Sequence, residues 1–226
     1  MSSPPSFLWE ATIAALVAER DAEFDPPPFD PVVAELLGPS GAPATPHRRL
    51  LERINGGYLF QRALHLFGAC ERPAWHSLAA WNAPATWRDA YGPLTDGLIF
   101  FAEDAFGDQY AYSRRPGEPS AEVLRFESEL GRAHAVAPTF AAWIDGLLLQ
   151  PSSLLPIDVI AAQAAEGKRL QPGNQLFAWP PLFSLEAAEG VTVGHVDALE
   201  AMRFRGDLAS KISGLPTGTQ VKITLP

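Results

Sequence analysis

The stretch Leu98-Ile99-Phe100-Phe101-Ala102 constrains the fold of this chain more than any other. Five consecutive apolar residues of this kind suit a strand buried on both faces, since a half-exposed strand would alternate apolar with polar. Glu103-Asp104-Ala105-Phe106-Gly107-Asp108 follows directly, and then the β-favouring run Gln109-Tyr110-Ala111-Tyr112. Asp and Gly supply the backbone freedom and local hydrogen bonds of a tight turn. The spacing therefore predicts that residues 98–102 and 109–113 pair as adjacent antiparallel strands with Gly107 in the turn.

Shorter signals surround this hairpin. Residues 6–20 place Trp9, Ile13, Leu16 and Val17 on one helical face, and Pro26-Pro27-Pro28 then stops the helix. Nine of the first 46 residues are proline, so this region reads as helices strapped by stiff loops, with a short helix around Val32–Leu37. A helix over His47–Ile54 ends at Asn55-Gly56-Gly57. Tyr58-Leu59-Phe60, Leu64-His65-Leu66-Phe67 and Val123-Leu124-Arg125-Phe126 read as strands. Helical turns around a loop are expected from Ser77 to Tyr91. Phe140, Trp143, Ile144, Leu147 and Leu148 have the spacing of a core-facing helix capped by Thr139, and a second helix is expected from Pro156 to Lys168.

The texture changes after residue 169. Leu176-Phe177-Ala178-Trp179, Val191-Thr192-Val193 and Val221-Lys222-Ile223-Thr224-Leu225 read as strands, and Val196–Ile212 as a helix broken or bent near Gly206. Two units are expected: an α+β domain over 1–169 and a β-rich extension over 170–226, packed on it or across a dimer interface. The extension's Leu176, Phe177, Trp179, Leu182 and Phe183 are too apolar to be left in water.

Charge and cysteine usage narrow the function classes. Net charge is −9, with 21 acids and 13 bases before residue 170 against 5 and 4 after it. An acidic body repels phosphate backbones, which argues against nucleic acid, and attracts a basic partner, though such charge also simply keeps a protein soluble. One cysteine, Cys70, excludes an intramolecular disulfide and reads as packing. The first residues lack a leader signature and no apolar run reaches a membrane span, so a cytoplasmic protein without a membrane partner is expected.

Signals for catalysis are missing where they would have to stand. The chain holds no phosphate-binding glycine loop, no G-x-S-x-G elbow and no paired histidines with zinc spacing, so no enzyme and no cofactor are expected. Glu103, Asp104 and Asp108 around Gly107 are the one tempting constellation. Carboxylates there could shape the turn, meet a partner, hold a hard cation or act as an acid/base pair, but the alternating ligands of a calcium loop are absent. Trp81, Trp87 and Tyr91 are either core filling or exposed anchors for a partner.

Three blocks, taken in order, resemble the SUKH superfamily, which includes fungal cell-wall synthesis regulators and many bacterial immunity proteins. They are Asn55-Gly56-Gly57 leading into Tyr58-Leu59-Phe60; Leu98 through Tyr110, with its strand–acidic–glycine–strand order; and Thr139-Phe140 opening the helix with Trp143, Ile144 and Leu147. The resemblance spans about residues 5–165. It implies a twisted, mainly antiparallel sheet flanked by helices, and protein binding without catalysis. An immunity protein that neutralises a toxin by stoichiometric binding follows first, and a regulatory or scaffolding protein of a cell-wall or secretion system second. Toxins met by this group are often basic nucleases, which suits an acidic binder. The partner-binding candidates are then Glu103, Asp104, Asp108, Trp81, Trp87 and Tyr91.

Overall fold

The computed structural model describes residues 6–38, 44–115, 121–216 and 218–222. The chain runs through α1 (Ser6–Ala18), α2 (Pro31–Ala34), α3 (Thr45–Ile54), β1 (Gly57–Leu59) and β2 (Leu64–Leu66). Then come α4 (Leu78–Asn82), α5 (Arg88–Tyr91), β3 (Leu98–Asp104), β4 (Gln109–Ser113), β5 (Val123–Glu127) and β6 (Arg132–Ala137). It closes with α6 (Phe140–Leu149), α7 (Ile157–Ala165), β7 (Asn174–Trp179), β8 (Thr192–Asp197) and α8 (Ala198–Ile212). Strands β1 to β6 form one antiparallel sheet in sequence order, and β7 and β8 form a separate hairpin. The fold is α+β.

The expected hairpin is present: β3 and β4 pair antiparallel from Leu98 opposite Ser113 to Glu103 opposite Gln109, and Gly107 turns the chain at φ +83°. Both faces of β3 are covered, as its unbroken apolar run requires. On one face Phe101, Tyr110 and Tyr112 pack against Phe140 and Trp143 of α6 and His47 of α3. On the other, Phe100 and Phe126 meet Trp87 and Tyr91, and Trp87 meets Trp81.

Local stop and start chemistry behaves as the residue types dictate. Asn55 ends α3 in the left-handed conformation, and its amide bonds across to Pro27 O and from Ala69 N, fastening the helix end to two loops. Thr139 caps α6 by accepting from Ala142 N, at 3.2 Å.

Four expectations need correction. Val17 is 46% exposed, so the buried face of α1 passes through Ile13 and Leu16 without it. β6 is an additional strand: the apolar positions of Arg132-Ala133-His134-Ala135 are alanines alone, too weak a signal to read, because most of the strand lies exposed at the sheet edge. In the extension, Val221 and Lys222 belong to no element and residues 223–225 lie outside the described residues, so among the described residues it contributes two strands, a short 3-10 helix (Leu185–Glu189) and a 15-residue helix. Finally, α8 continues through Gly206 unbroken.

Packing, not bending, explains Gly206. A Cβ there would lie 2.7 Å from both Ala90 Cβ and the Tyr91 ring, so α8 crosses α5 at a distance only glycine permits. Gly206→Ala should therefore cost about 1–3 kcal/mol through overpacking. Urea denaturation checks this, and an unchanged midpoint would show that the two helices separate freely.

Residues beyond 169 are tied to the sheet by backbone and side chain alike. Leu176 N donates to Ala105 O at 2.7 Å, and Gly173 N to Tyr58 Oη at 2.8 Å. Leu176, Ala198, Met202 and Ala209 belong to the same buried cluster as Phe100 and Trp81.

Candidate functional site

A bulge at Phe101 decides where the hairpin carboxylates go. Phe100 pairs with Ala111, Ala102 with Tyr110 and Glu103 with Gln109, so Phe101 is extra and the side-chain alternation shifts by one. Glu103 consequently shares the face of Phe100, beneath the helices, while Asp104 turns to the opposite face.

Glu103 is buried within a polar chain. Its Oε2 accepts from Gln109 Nε2 at 2.9 Å and Gln175 Nε2 at 2.7 Å, and its Oε1 lies 3.2 Å from His65 Nδ1. His65 Nε2 lies 2.9 Å from His76 Nδ1, while Gln109 Oε1 accepts from Trp81 Nε1 at 2.8 Å. Arg205 of α8 reaches Gln175 Oε1 and also Leu176 O. Burial pushes Glu103 up to about 7, against the pull of the Gln109 and Gln175 donors and Arg205. Burial likewise pushes His65 and His76 down to about 3. This network fastens β7 and α8 to the hairpin. The Cys70 thiol is also buried and is pushed up to about 11.

Asp104 and Asp108 build the turn and a cleft beside it. Asp104 Oδ1 accepts from Phe106 N and Asp108 N at 2.9 and 3.1 Å. Asp108 Oδ1 accepts from Ser128 N at 2.9 Å, and Arg125 Nη2 contacts both carboxylates, at 3.1 Å for Asp104 and 2.9 Å for Asp108. Burial, followed by the neighbouring Asp108 charge, raises Asp104 above the usual carboxylate range, with Arg125 and the two amides opposing.

The cleft has a volume of about 400 Å³. Asp108, Arg125 and Glu127–Leu130 line one part of it, over the buried Asp104, and Ser152–Pro156 supply a second wall. Tyr110 Oη holds that second wall by donating to Leu154 O at 2.7 Å. Leu182 and Phe183, 47% and 39% exposed, supply an apolar rim, and their amides donate to the Glu129 carboxylate. Burial raises Glu129. The carboxylates of Asp108, Glu127 and Glu129 thus surround one guanidinium, with Asp104 buried against it, and Glu127 makes no side-chain bond among the described residues.

Of the six candidate residues, the structure leaves only Asp108 partly open to this cleft; Asp104, 2% exposed, is buried beneath it, and the others lie inside. Glu103 is 3% exposed, Trp81 0%, Trp87 1% and Tyr91 1%, so none of these four can touch a partner in this conformation. The three rings fill the core under β3 and β5 instead, where Tyr91 Oη also finds Ser128 O at 2.8 Å. Arg125, Glu127 and Glu129 were not singled out as site residues; Leu182 and Phe183 were expected to be too apolar to be left in water, yet they stand 47% and 39% exposed. Only the apolar Leu182-Phe183 pair beside two prolines carried a signal.

Among the described residues no helix is long and apolar enough to cross a membrane, and no group of three or more His, Cys, Asp and Glu could hold a metal ion. Residues 46–146 match the SMI1 / KNR4 family (SUKH-1). That segment holds the first two blocks entire and the third as far as Ile144, a narrower span than the 5–165 expected. No curated protein matches the chain. The crystal structure of Atu4351 from Agrobacterium tumefaciens is similar with a TM-score of 0.52 at 11% identity, covering 81% of this chain and 83% of that one. At that identity the likeness is one of fold.

Proposed function

We propose that this protein is a non-catalytic binder of a polypeptide, of the immunity type, that neutralises a basic toxin by covering it stoichiometrically. The observation that carries the reading is the cleft: the carboxylates of Asp108, Glu127 and Glu129 around one guanidinium, with half-exposed Leu182 and Phe183 at the rim. An apolar rim beside charge is the composition of an anchoring patch, in which buried contacts slow dissociation while charge speeds encounter. The SUKH-1 match over residues 46–146 and the net charge of −9 support it. The non-catalytic part rests on how the carboxylates are used: the chain's own amides, Ser128 and Arg125 occupy Asp104 and Asp108, and Glu103 is enclosed.

Co-expression with the protein encoded beside it, once shown to be toxic alone, tests the reading. Growth should be rescued and a complex of fixed stoichiometry recovered. Association should slow roughly tenfold or more between low and high salt, because exposed charges are screened beyond a Debye length of about 8 Å at physiological ionic strength. Glu127→Arg, at a half-buried side chain without bonds of its own, should slow association about tenfold while leaving the fold intact. A toxic neighbour that is neither bound nor neutralised would overturn the immunity reading in favour of a scaffolding role.

A further inference from the structure

The two edges of the six-stranded sheet are treated differently. At β1 the edge is closed: Asp21 N donates to Tyr58 O at 2.8 Å and Phe60 N to Glu19 O at 3.1 Å, with Arg20 bridged to Leu59. At β6 no backbone hydrogen bond beyond its ladder to β5 exists among the described residues, and Arg132–Ala135 are all exposed. Natural sheets block such edges with lysine, proline or bulges. Here a bulge at Val136, between the Leu124–Ala135 and Val123–Ala137 pairs, ends the regular edge on one side, and along residues 132–135 the charge of Arg132 is the one such device, leaving the backbone groups themselves open. Four residues span about 13 Å, enough to pair with a short strand.

The two faces of this edge say what the strand would carry. Ala133 and Ala135 lie opposite Phe126 and Leu124, so they continue the core face of the sheet with side chains too small to cover it. Arg132 and His134 project from the other face, opposite Glu127 and Arg125. Neither makes a side-chain hydrogen bond or ion pair among the described residues, although the chain as a whole carries nine more acids than bases. Cross-strand neighbours of opposite charge stabilise pairing, and like charges oppose it.

We propose that the Arg132–Ala135 edge is a docking site for an extended segment of a partner polypeptide with acidic residues at alternate positions and apolar ones between them. Backbone hydrogen bonds give this mode its affinity, and the alternate side chains give it selectivity. The site adjoins the cleft, since Arg132 and His134 lie opposite Glu127 and Arg125, but it rests on the strand edge and not on how the cleft is read.

Amide NMR of the whole protein with two short probes tests it. The probes are acetyl-Val-Glu-Val-Glu-Val-amide and the same peptide with lysine for glutamate. The glutamate peptide should shift the amide signals of residues 132–135 saturably at millimolar concentration, at least tenfold more tightly than the lysine peptide. In Arg132→Glu, an exposed substitution, the preference should reverse. Shifts elsewhere only, equal binding of both peptides, or an unchanged preference in Arg132→Glu would each overturn the proposal. So would sedimentation showing that a second copy of the chain occupies β6.

Discussion

Arg62→Ala should lower the free energy of unfolding by about 3–5 kcal/mol, the cost of leaving a buried charge without its partner. Arg62 is 3% exposed and sits between three segments far apart in sequence. Its Nε donates to the Asp21 carboxylate, its Nη2 to Glu23 at 3.2 Å and its Nη1 to Leu170 O at 2.6 Å. Arg169 completes the clasp with 3.0 Å to Asp21 and 2.6 Å to Glu23. Burial alone would raise Asp21, but the Arg62 hydrogen bond and charge outweigh it and hold the carboxyl below its ordinary value. Removing the guanidinium leaves Asp21 with the half-exposed Arg169 and the Glu23 amide, which donates to its Oδ1 at 3.0 Å. Chemical denaturation measures the loss, and the double variant Asp21→Leu, Arg62→Met should recover much of it, because apolar replacement of both partners removes the unpaired charge. A single variant within 1 kcal/mol of the parent would show that water already reaches this pair.

Glu103→Gln should gain stability relative to the parent as pH rises, by about 3 kcal/mol between pH 4.5 and 8. The group moves from its ordinary 4.5 to about 7, and each tenfold gain in proton affinity is worth about 1.36 kcal/mol. The folded state therefore holds this proton more tightly than the unfolded chain does. Its contribution is full below 4.5 and is lost as pH climbs through about 7. An amide keeps the shape, accepts from Gln109 and Gln175 as the carboxylate does, and donates to His65 Nδ1 without carrying charge. The buried histidines titrate in parent and variant alike, so their contribution drops out of the difference. Urea titrations at several pH values give that difference directly, and a value independent of pH would mean that Glu103 is not held in its neutral form.

These two groups illustrate what could not be found by reading along the chain. Arg62 is one arginine of many, and its partners lie 41 and 108 positions away. Glu103 stood out as an acid beside a strand, yet strict alternation would have placed it opposite Phe100. The Phe101 bulge puts both on one face. Trp81, Trp87 and Tyr91 were equally compatible with a surface and with a core, because a large amphipathic ring serves both. Packing against Phe67, Phe100 and Phe126 decided it.

The sequence by itself determined what depends on neighbours within about ten residues. The β3–β4 hairpin followed from two β-favouring runs around Asp and Gly, the end of α3 from Asn55-Gly56, and the start of α6 from Thr139. Each is set by backbone torsion and short-range hydrogen bonds that the residue types carry wherever they occur. Tertiary structure alone decided which acids face the cleft, that Arg132–Ala137 forms an open edge, and how α8 docks. These depend on strand register, on a one-residue bulge, and on contacts such as Gln175 to Glu103, 72 positions apart, whose energies arise only once the sheet has brought the two ends together.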